Sequence, residues 1–284
     1  MTGLRRVIGV GVYCAVCMGA ALAGQRDPNP LVEEGSKSFH RPKGKRAAVS
    51  LSFDDARTSQ VERGLVLLKK EGVRVTFFVN PEHVKKRLAG WKQAVADGHE
   101  IGNDSLAHPC TGNYPAFLQN ALENYDLRMM AHELDGANDQ IQKLLGVKPT
   151  PFAYPCGLKF VGRGLDVRSY VPLVAERFIV GRGYLDESPN NPAVCDLSQA
   201  MGTPFDDLDF TQMKKIVEDV VKEGTWVIFI GHEIGERHYQ TTDINALERL
   251  CDYLNDPANE MNEIWLGTVQ KIGRYIRKQG ETNN

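Results

Sequence analysis

Two adjacent carboxylates, Asp54 and Asp55, close the apolar run Ala47-Ala48-Val49-Ser50-Leu51-Ser52-Phe53. Side chains alternate along an extended strand, but where the strand turns both can face one cleft. Two carboxylates that close oppose each other unless a cation or a proton separates their roles. Taken alone, the pair is explained equally well as a turn capping a helix that begins near Thr58. A second cluster, running from Gly98-His99-Glu100 through Asp104 to His108-Pro109, tips the balance. Asp104 and His108 are four residues apart, a spacing that brings both side chains to one face of a helical turn. Added to Asp55, they make a carboxylate–carboxylate–imidazole set suited to Zn²⁺, Mn²⁺ or Co²⁺, with positions left for water. Such an ion lowers the pKa of a bound water towards about 7, supplying a nucleophile at neutral pH. Asp54, beside the ligand but off the metal, is then the candidate general base. Without Asp55 nearby, a helix cap at Asp104 and a surface histidine at His108 would be the commoner explanation. His232 follows the apolar run Trp226–Ile230, where a lone histidine is usually a hydrogen-bonded structural one. Next to a metal and a base it becomes the natural general acid. His40, His83, His99, His132 and His238 read as structural or solvated.

The elements that must position these groups alternate in type. Helical spacing runs through Val61, Leu65 and Leu68 up to Gly72, and again through Val84, Leu88, Trp91 and Val95 up to Gly98. Val73–Val79 is a β-branched and aromatic strand candidate between them. The stretch 118–145 reads as a long helix broken once, with Leu134, Ala137, Ile141 and Leu144 on one face. Pro151–Tyr154 reads as a brief strand, 170–176 as a helix, and Phe178–Val180 as a strand. The segment 183–204 is loop-like, and its acidic groups Asp186 and Glu187, with the Asp206-Asp207 pair beyond it, read as solvated charges. Helices through Met213–Val220 and Leu247–Leu254 flank the strand Trp226–Ile230, and a last amphipathic helix follows Trp265-Leu266. This alternation argues for a single α/β domain with a mainly parallel sheet or barrel. In such folds chemistry sits at the carboxyl ends of the strands, where all the groups named above fall.

The 284 residues are 42% hydrophobic and 25% charged with a formal net charge of −2, which suits a soluble globular domain and disfavours a nucleic-acid partner. Arg5-Arg6, the uncharged run Val7–Ala23 and the closing Ala21-Leu22-Ala23 read as a secretory signal over 1–23. That implies a secreted or periplasmic protein with no stable membrane span after cleavage, a retained anchor being the alternative. Residues 24–46 read as a polar linker and 47–284 as the catalytic domain. Beyond the signal lie Cys110, Cys156, Cys195 and Cys251, an even number that permits two disulfides in any of three pairings.

Four stretches in order, Ser52-Phe53-Asp54-Asp55, Gly98–Pro109, Phe152-Ala153-Tyr154-Pro155-Cys156-Gly157 and Ile230-Gly231-His232, resemble the motifs of the polysaccharide deacetylases, carbohydrate esterase family 4. The resemblance covers residues 47–276. It implies a distorted (β/α) barrel, one divalent ion (zinc first, with manganese, cobalt or magnesium as alternatives), and hydrolysis of N- or O-acetyl groups on a glycan. Asp54 then matches the base, Asp55, Asp104 and His108 the metal ligands, His232 the acid, and the Cys156 backbone N–H an oxyanion donor. Tyr154 and Arg182 are assigned to substrate binding. Cys110 and Cys156 would both lie near the metal, and a disulfide between them is expected. Two departures stand out. The family usually has histidine at the position of Asp104, and many members carry a base-orienting arginine at the position of Ala153; Arg182 and Arg163 are the candidates to replace it. The alternatives are a glycan-binding protein without catalysis and a hydrolase of small non-sugar amides or imides.

Overall fold

A computed structural model describes residues 39–42, 44–256 and 263–282. The signal and most of the linker expected at the amino terminus lie outside them. The strands, in chain order, are β1 Ala47–Phe53, β2 Thr76–Val79, β3 Glu100–Asn103, β4 Pro151–Ala153, β5 Phe160–Val161 and β6 Arg168–Ser169. They continue with β7 Val180–Arg182, β8 Thr203–Pro204, β9 Trp226–Gly231, β10 Glu233–Gly235, β11 Thr241–Asp243 and β12 Ile264–Leu266. The helices are α1 Leu65–Lys70, α2 Pro81–Lys86, α3 Leu88–Ala96, α4 Leu127–Leu145, α5 Val171–Arg177, α6 Phe210–Glu223, α7 Ile244–Asn255 and α8 Val269–Thr282.

The sheet runs β7-β4-β3-β2-β1-β9-β8, with β12 added beside β1. Its pairings are parallel throughout. A single bridge, Arg182 to Ala200, joins β7 to the chain just ahead of β8. The sheet therefore curls into a distorted barrel with a seam between β7 and β8, the fold class expected.

The alternation of β1 decides what faces inward. Val49, Leu51 and Phe53 join the core beneath the helices, with Leu68, Met213 and Leu247. Ala48 instead joins Phe78, Ala153, Val180, Trp226 and Ile228 on the opposite face, which α8 covers with Val269, Ile272 and Ile276. Ser50 and Ser52 share that inner face because each finds a partner there. The Ser52 hydroxyl donates to the Phe229 carbonyl (2.6 Å), and the Trp226 indole donates to Ser50 (3.1 Å). Asp54 is the next member of this inward series.

Element ends differ from the sequence expectation where tertiary packing intervenes. The helix expected over 84–95 is two, α2 and α3, broken at Arg87 (φ −138°). The break seats Gly90 against Val61, where an added Cβ would lie 2.8 Å from the valine side chain. The stretch 118–145 opens with 3₁₀ turns, and α4 starts only where the Asp126 carboxylate caps Met129 N–H (2.7 Å). Segment 183–204 contributes β8 and is not all loop.

Candidate active site

Asp54 sits just past the carboxyl end of β1, its N–H bonded to the Gly231 carbonyl (2.9 Å). Both its carboxylate oxygens accept from Nη2 of Arg182, at 2.6 and 2.7 Å. Arg182 ends β7 and pairs in register with Ala153 of β4. The arginine that the resemblance leads one to seek at Ala153 has thus been supplied from the neighbouring strand, one ladder position away. Arg182 is fully buried, and its guanidinium carbon lies 4.7 Å from the Phe78 ring centre. It has no face for a substrate, so its assignment to substrate binding is corrected: it positions Asp54. Arg163 bonds instead to the Glu123 carbonyl and the Asn124 side chain.

Asp55 adopts a left-handed backbone (φ 70°), which turns its side chain away from the β1 series. Two contacts hold this conformation. The ring of His83 donates from Nδ1 to the Asp55 carbonyl (2.7 Å), and the Asp55 N–H donates to the Asp104 carboxylate (3.3 Å). Behind the turn the chain enters a π-helical turn, Gln60–Gly64, a wider loop of helix often found at functional sites. It buries Gln60, whose amide donates to the carbonyls of both Asp54 (2.7 Å) and His232 (2.8 Å). One amide thus ties the turn that bears Asp54 to the strand end that bears His232.

Asp104 and His108 do not share a helical turn. The segment between them is an irregular loop with left-handed residues at Ser105 (φ 59°) and His108 (φ 48°). Its shape comes from Glu133 of α4, which is buried and accepts the N–H groups of Leu106 (3.0 Å) and Ala107 (2.8 Å). Asn103 adds a bond from Ser105 N–H (2.7 Å), and the Ser105 hydroxyl accepts from His108 N–H (3.0 Å). The disulfide expected between Cys110 and Cys156 is present and ties this loop to the turn after β4. Cys195 and Cys251 are not bridged.

Oxygen atoms of Asp55 and Asp104 and a ring nitrogen of His108 all lie within 4.8 Å of one another. His108 Nε2 is 3.5 Å from Asp55 Oδ1 and 4.0 Å from Asp104 Oδ1. Arg57 grips the other Asp55 oxygen with Nε (3.0 Å) and Nη2 (2.7 Å), leaving Oδ1 for the cluster. Burial, then the neighbouring charges of Asp55 and Asp54, push the Asp104 carboxyl well above the usual carboxylate range. For Asp55, burial acts upward, but His108, Arg57 and His232 outweigh it and leave the group below its ordinary value. Two carboxylates and an imidazole nitrogen within reach of one point, with the Asp104 carboxyl buried, fit a divalent cation.

His232 follows β9, and its Nδ1 donates to Asp206 (2.6 Å), so Nε2 is left for the cavity. Asp206 also accepts from the His232 N–H (3.2 Å) and the Thr242 hydroxyl (2.7 Å). Residue pattern alone does not reveal this pair, since Asp206 reads as a solvated charge and the contact spans 26 residues. Burial alone would lower the His232 pKa from 6.5, but the Asp206 bond and the charges of Asp54, Asp206 and Asp55 raise it. A raised histidine stabilises the fold fully below the unfolded value of 6.5, and that contribution is lost as pH climbs through the folded value. Asp206→Asn should therefore move the imidazole titration, followed by NMR, to lower pH and shift the alkaline limb of any activity the same way. An unmoved titration would remove Asp206 from its role.

These groups line one cavity of about 390 Å³. Tyr154 lines it too, but is buried with its hydroxyl on the Ser198 carbonyl (2.7 Å), so it offers a substrate only ring surface. Cys156, at the rim, has a left-handed backbone (φ 54°). Four aromatic side chains missed at sequence level join them: Tyr114 and Phe117 on one loop, Tyr184 after β7 and Tyr239 before β11. Phe117 lies beside the His108 ring (5.9 Å between centres) and Tyr184 edge-on to His232 (5.9 Å). Among the other histidines, His99 accepts from Val75 N–H (3.2 Å), and burial takes its pKa down to about 4, consistent with a structural role.

Residues 41–162 match the sequence profile described as polysaccharide deacetylase. The uncharacterized protein YlxY of Bacillus subtilis is 34% identical over 97 residues, covering 34% of this chain and 27% of that one. The peptidoglycan-N-acetylmuramic acid deacetylase PdaA of the same organism is 28% identical over 128 residues, covering 45% of this chain and 44% of that one. The match thus spans less than half the length of these curated relatives. In structure, the chain resembles a putative polysaccharide deacetylase from Mycobacterium smegmatis with a TM-score of 0.61 at 16% identity, over 85% of this chain and 94% of that one. Residues 41–162 thus resemble the polysaccharide deacetylases in sequence, and the fold resembles that of a solved putative polysaccharide deacetylase.

Proposed function

We propose that this protein is a secreted or periplasmic, cation-dependent hydrolase that removes acetyl groups from an acetylated glycan. One observation carries the proposal: Asp54, the Asp55–Asp104–His108 cluster and His232 line the same cavity, each held by a separate partner. Asp55, Asp104 and His108 would hold the divalent ion, zinc first. When bound, such an ion polarises an acyl oxygen and makes water more acidic.

The chain's own groups do the rest. Asp54, fixed by Arg182, takes the proton from the attacking water. The Cys156 N–H donates to the acyl oxygen as charge develops on it. His232 delivers a proton from Nε2 to the departing amine or alcohol, while Asp206 stabilises the imidazolium. The aromatic walls suit the apolar faces of sugar rings, and the similarity to the peptidoglycan-N-acetylmuramic acid deacetylase PdaA makes a peptidoglycan-type amino sugar a first substrate to try.

The test is acetate release from acetylated glycans by chelator-treated protein, with and without added Zn²⁺, Mn²⁺, Co²⁺ or Mg²⁺. Release restored by one of these supports the proposal; glycan binding without release under every metal favours the binding-protein alternative. Calorimetry gives an independent check on the ligands. Asp104→Ala should weaken divalent-ion affinity by about 100-fold or more, since one of three protein ligands is lost. Unchanged affinity would take Asp104 out of the site.

A further inference from the structure

Arg57 stands two residues after Asp55 and lies outside the four motif stretches. Between them the backbone is unusual: Asp55 (φ 70°) and Ala56 (φ 51°) are both left-handed. Two successive non-glycine residues in that region are costly, and such strain persists only where the surroundings impose it. The bend folds the chain back, so that the Arg57 guanidinium meets the carboxylate two residues before it. The Arg57 side chain is 37% exposed and lines the cavity, over an Asp55 side chain that is 14% exposed.

Which oxygen the guanidinium takes decides what Asp55 can still do. A carboxylate can give a cation one oxygen or both. Nε (3.0 Å) and Nη2 (2.7 Å) of Arg57 both donate to Oδ2 of Asp55, occupying both lone-pair directions of that atom. Oδ1 alone remains, 3.5 Å from His108 Nε2. Asp104 is divided in the same way, with Oδ2 accepting the Asp55 N–H (3.3 Å) and Oδ1 lying 4.0 Å from His108 Nε2. Each of the three residues thus offers a cation one atom, two oxygens and one nitrogen in all. Three protein donors suit an ion of low coordination number such as Zn²⁺. Ca²⁺ takes about six to eight oxygens and draws on bidentate carboxylates to reach them, and Mn²⁺ favours octahedral oxygen sites.

Given that these three residues hold the ion, we propose that Arg57 sets the ion selectivity of the site by denying Asp55 its second donor oxygen. The test is calorimetry of the chelator-treated full chain, parent and Arg57→Ala, with Zn²⁺, Co²⁺, Mn²⁺ and Ca²⁺. Loss of the arginine charge should tighten binding of every ion, but Mn²⁺ and Ca²⁺ gain an oxygen as well. The ratio of Zn²⁺ to Mn²⁺ affinity should therefore fall about tenfold in Arg57→Ala. In the Co²⁺-loaded protein, visible absorption should weaken as the coordination number rises. Arg57→Lys keeps the charge without the fork, so the ratio should fall there too, without the general tightening. Affinities that all rise together in Arg57→Ala, with the ratio and the Co²⁺ spectrum unchanged, would reduce Arg57 to a charge and overturn the proposal. A parent protein that binds none of the four ions overturns the cation-site reading itself, and the selectivity with it. None of these readouts requires acetate release.

Discussion

Asparagine at position 54 should leave the protein able to bind a divalent ion while acetate release falls by about 10³-fold. The two side chains are nearly the same size, and the amide oxygen can still accept from Arg182. What disappears is the ability to take a proton from water. The Asp55–Asp104–His108 cluster is built by other contacts, from His83, Arg57 and Glu133, and does not need the Asp54 charge. A stability loss should accompany the change, because fully buried Arg182 would lose its carboxylate. Turnover at saturating substrate, ion affinity by calorimetry and thermal midpoint separate these effects. Turnover close to that of the unaltered protein would refute Asp54 as the base.

Arg182→Ala should be the more damaging change to the fold. It leaves the Asp54 carboxylate in a buried site without its cation, a loss of about 3–5 kcal/mol in comparable buried pairs. It also opens a hole beside Phe78 and frees Asp54 to rotate, so turnover should drop about 100-fold even in protein that remains folded. The register suggests a rescue. Ala153 faces the same interior one strand away, so Ala153→Arg placed in the Arg182→Ala background should recover much of the stability and part of the turnover. Recovery would mean that the site needs a guanidinium at that point and is indifferent to which strand supplies it. An Arg182→Ala protein as stable and active as the parent would end the argument.

Sequence logic reached the groups that lie on or beside strands and stopped at those that arrive through long connections. The Asp54-Asp55 pair, Asp104, His108 and His232 were legible because strand periodicity and spacing put them at carboxyl ends. Arg182 was a named candidate for the missing arginine, but only strand order β7-β4 could decide it over Arg163. Asp206 was invisible as a partner. It is one of two adjacent acids after a loop, and only the pairing of β8 with β9, Pro204 beside Ile230, carries it to His232. Glu133 was invisible for a different reason: a glutamate within an amphipathic helix reads as solvent-facing, whereas here it closes the loop that carries His108. The four-residue spacing of Asp104 and His108 pointed to the right pair through the wrong geometry, since glutamate capping does what a helical turn was expected to do.

The seam between β7 and β8 has a meaning for how such a protein can change. Arg182, which holds the base, is on one lip, and Asp206, which holds the acid, is just past the other; residues 183–202 are the span between them. Few ladder bonds cross there, so insertions in that span can be absorbed without tearing the sheet. Yet Tyr184 and Leu185, at its start, form part of the cavity wall. Residues that wall the cavity and residues that hold Asp54 and His232 thus fall on different pieces of one short segment. Changes at Tyr184 and Leu185 are the natural way to retarget the protein, since Asn190 and Ala200 beyond them are tied to Trp226 and Arg182.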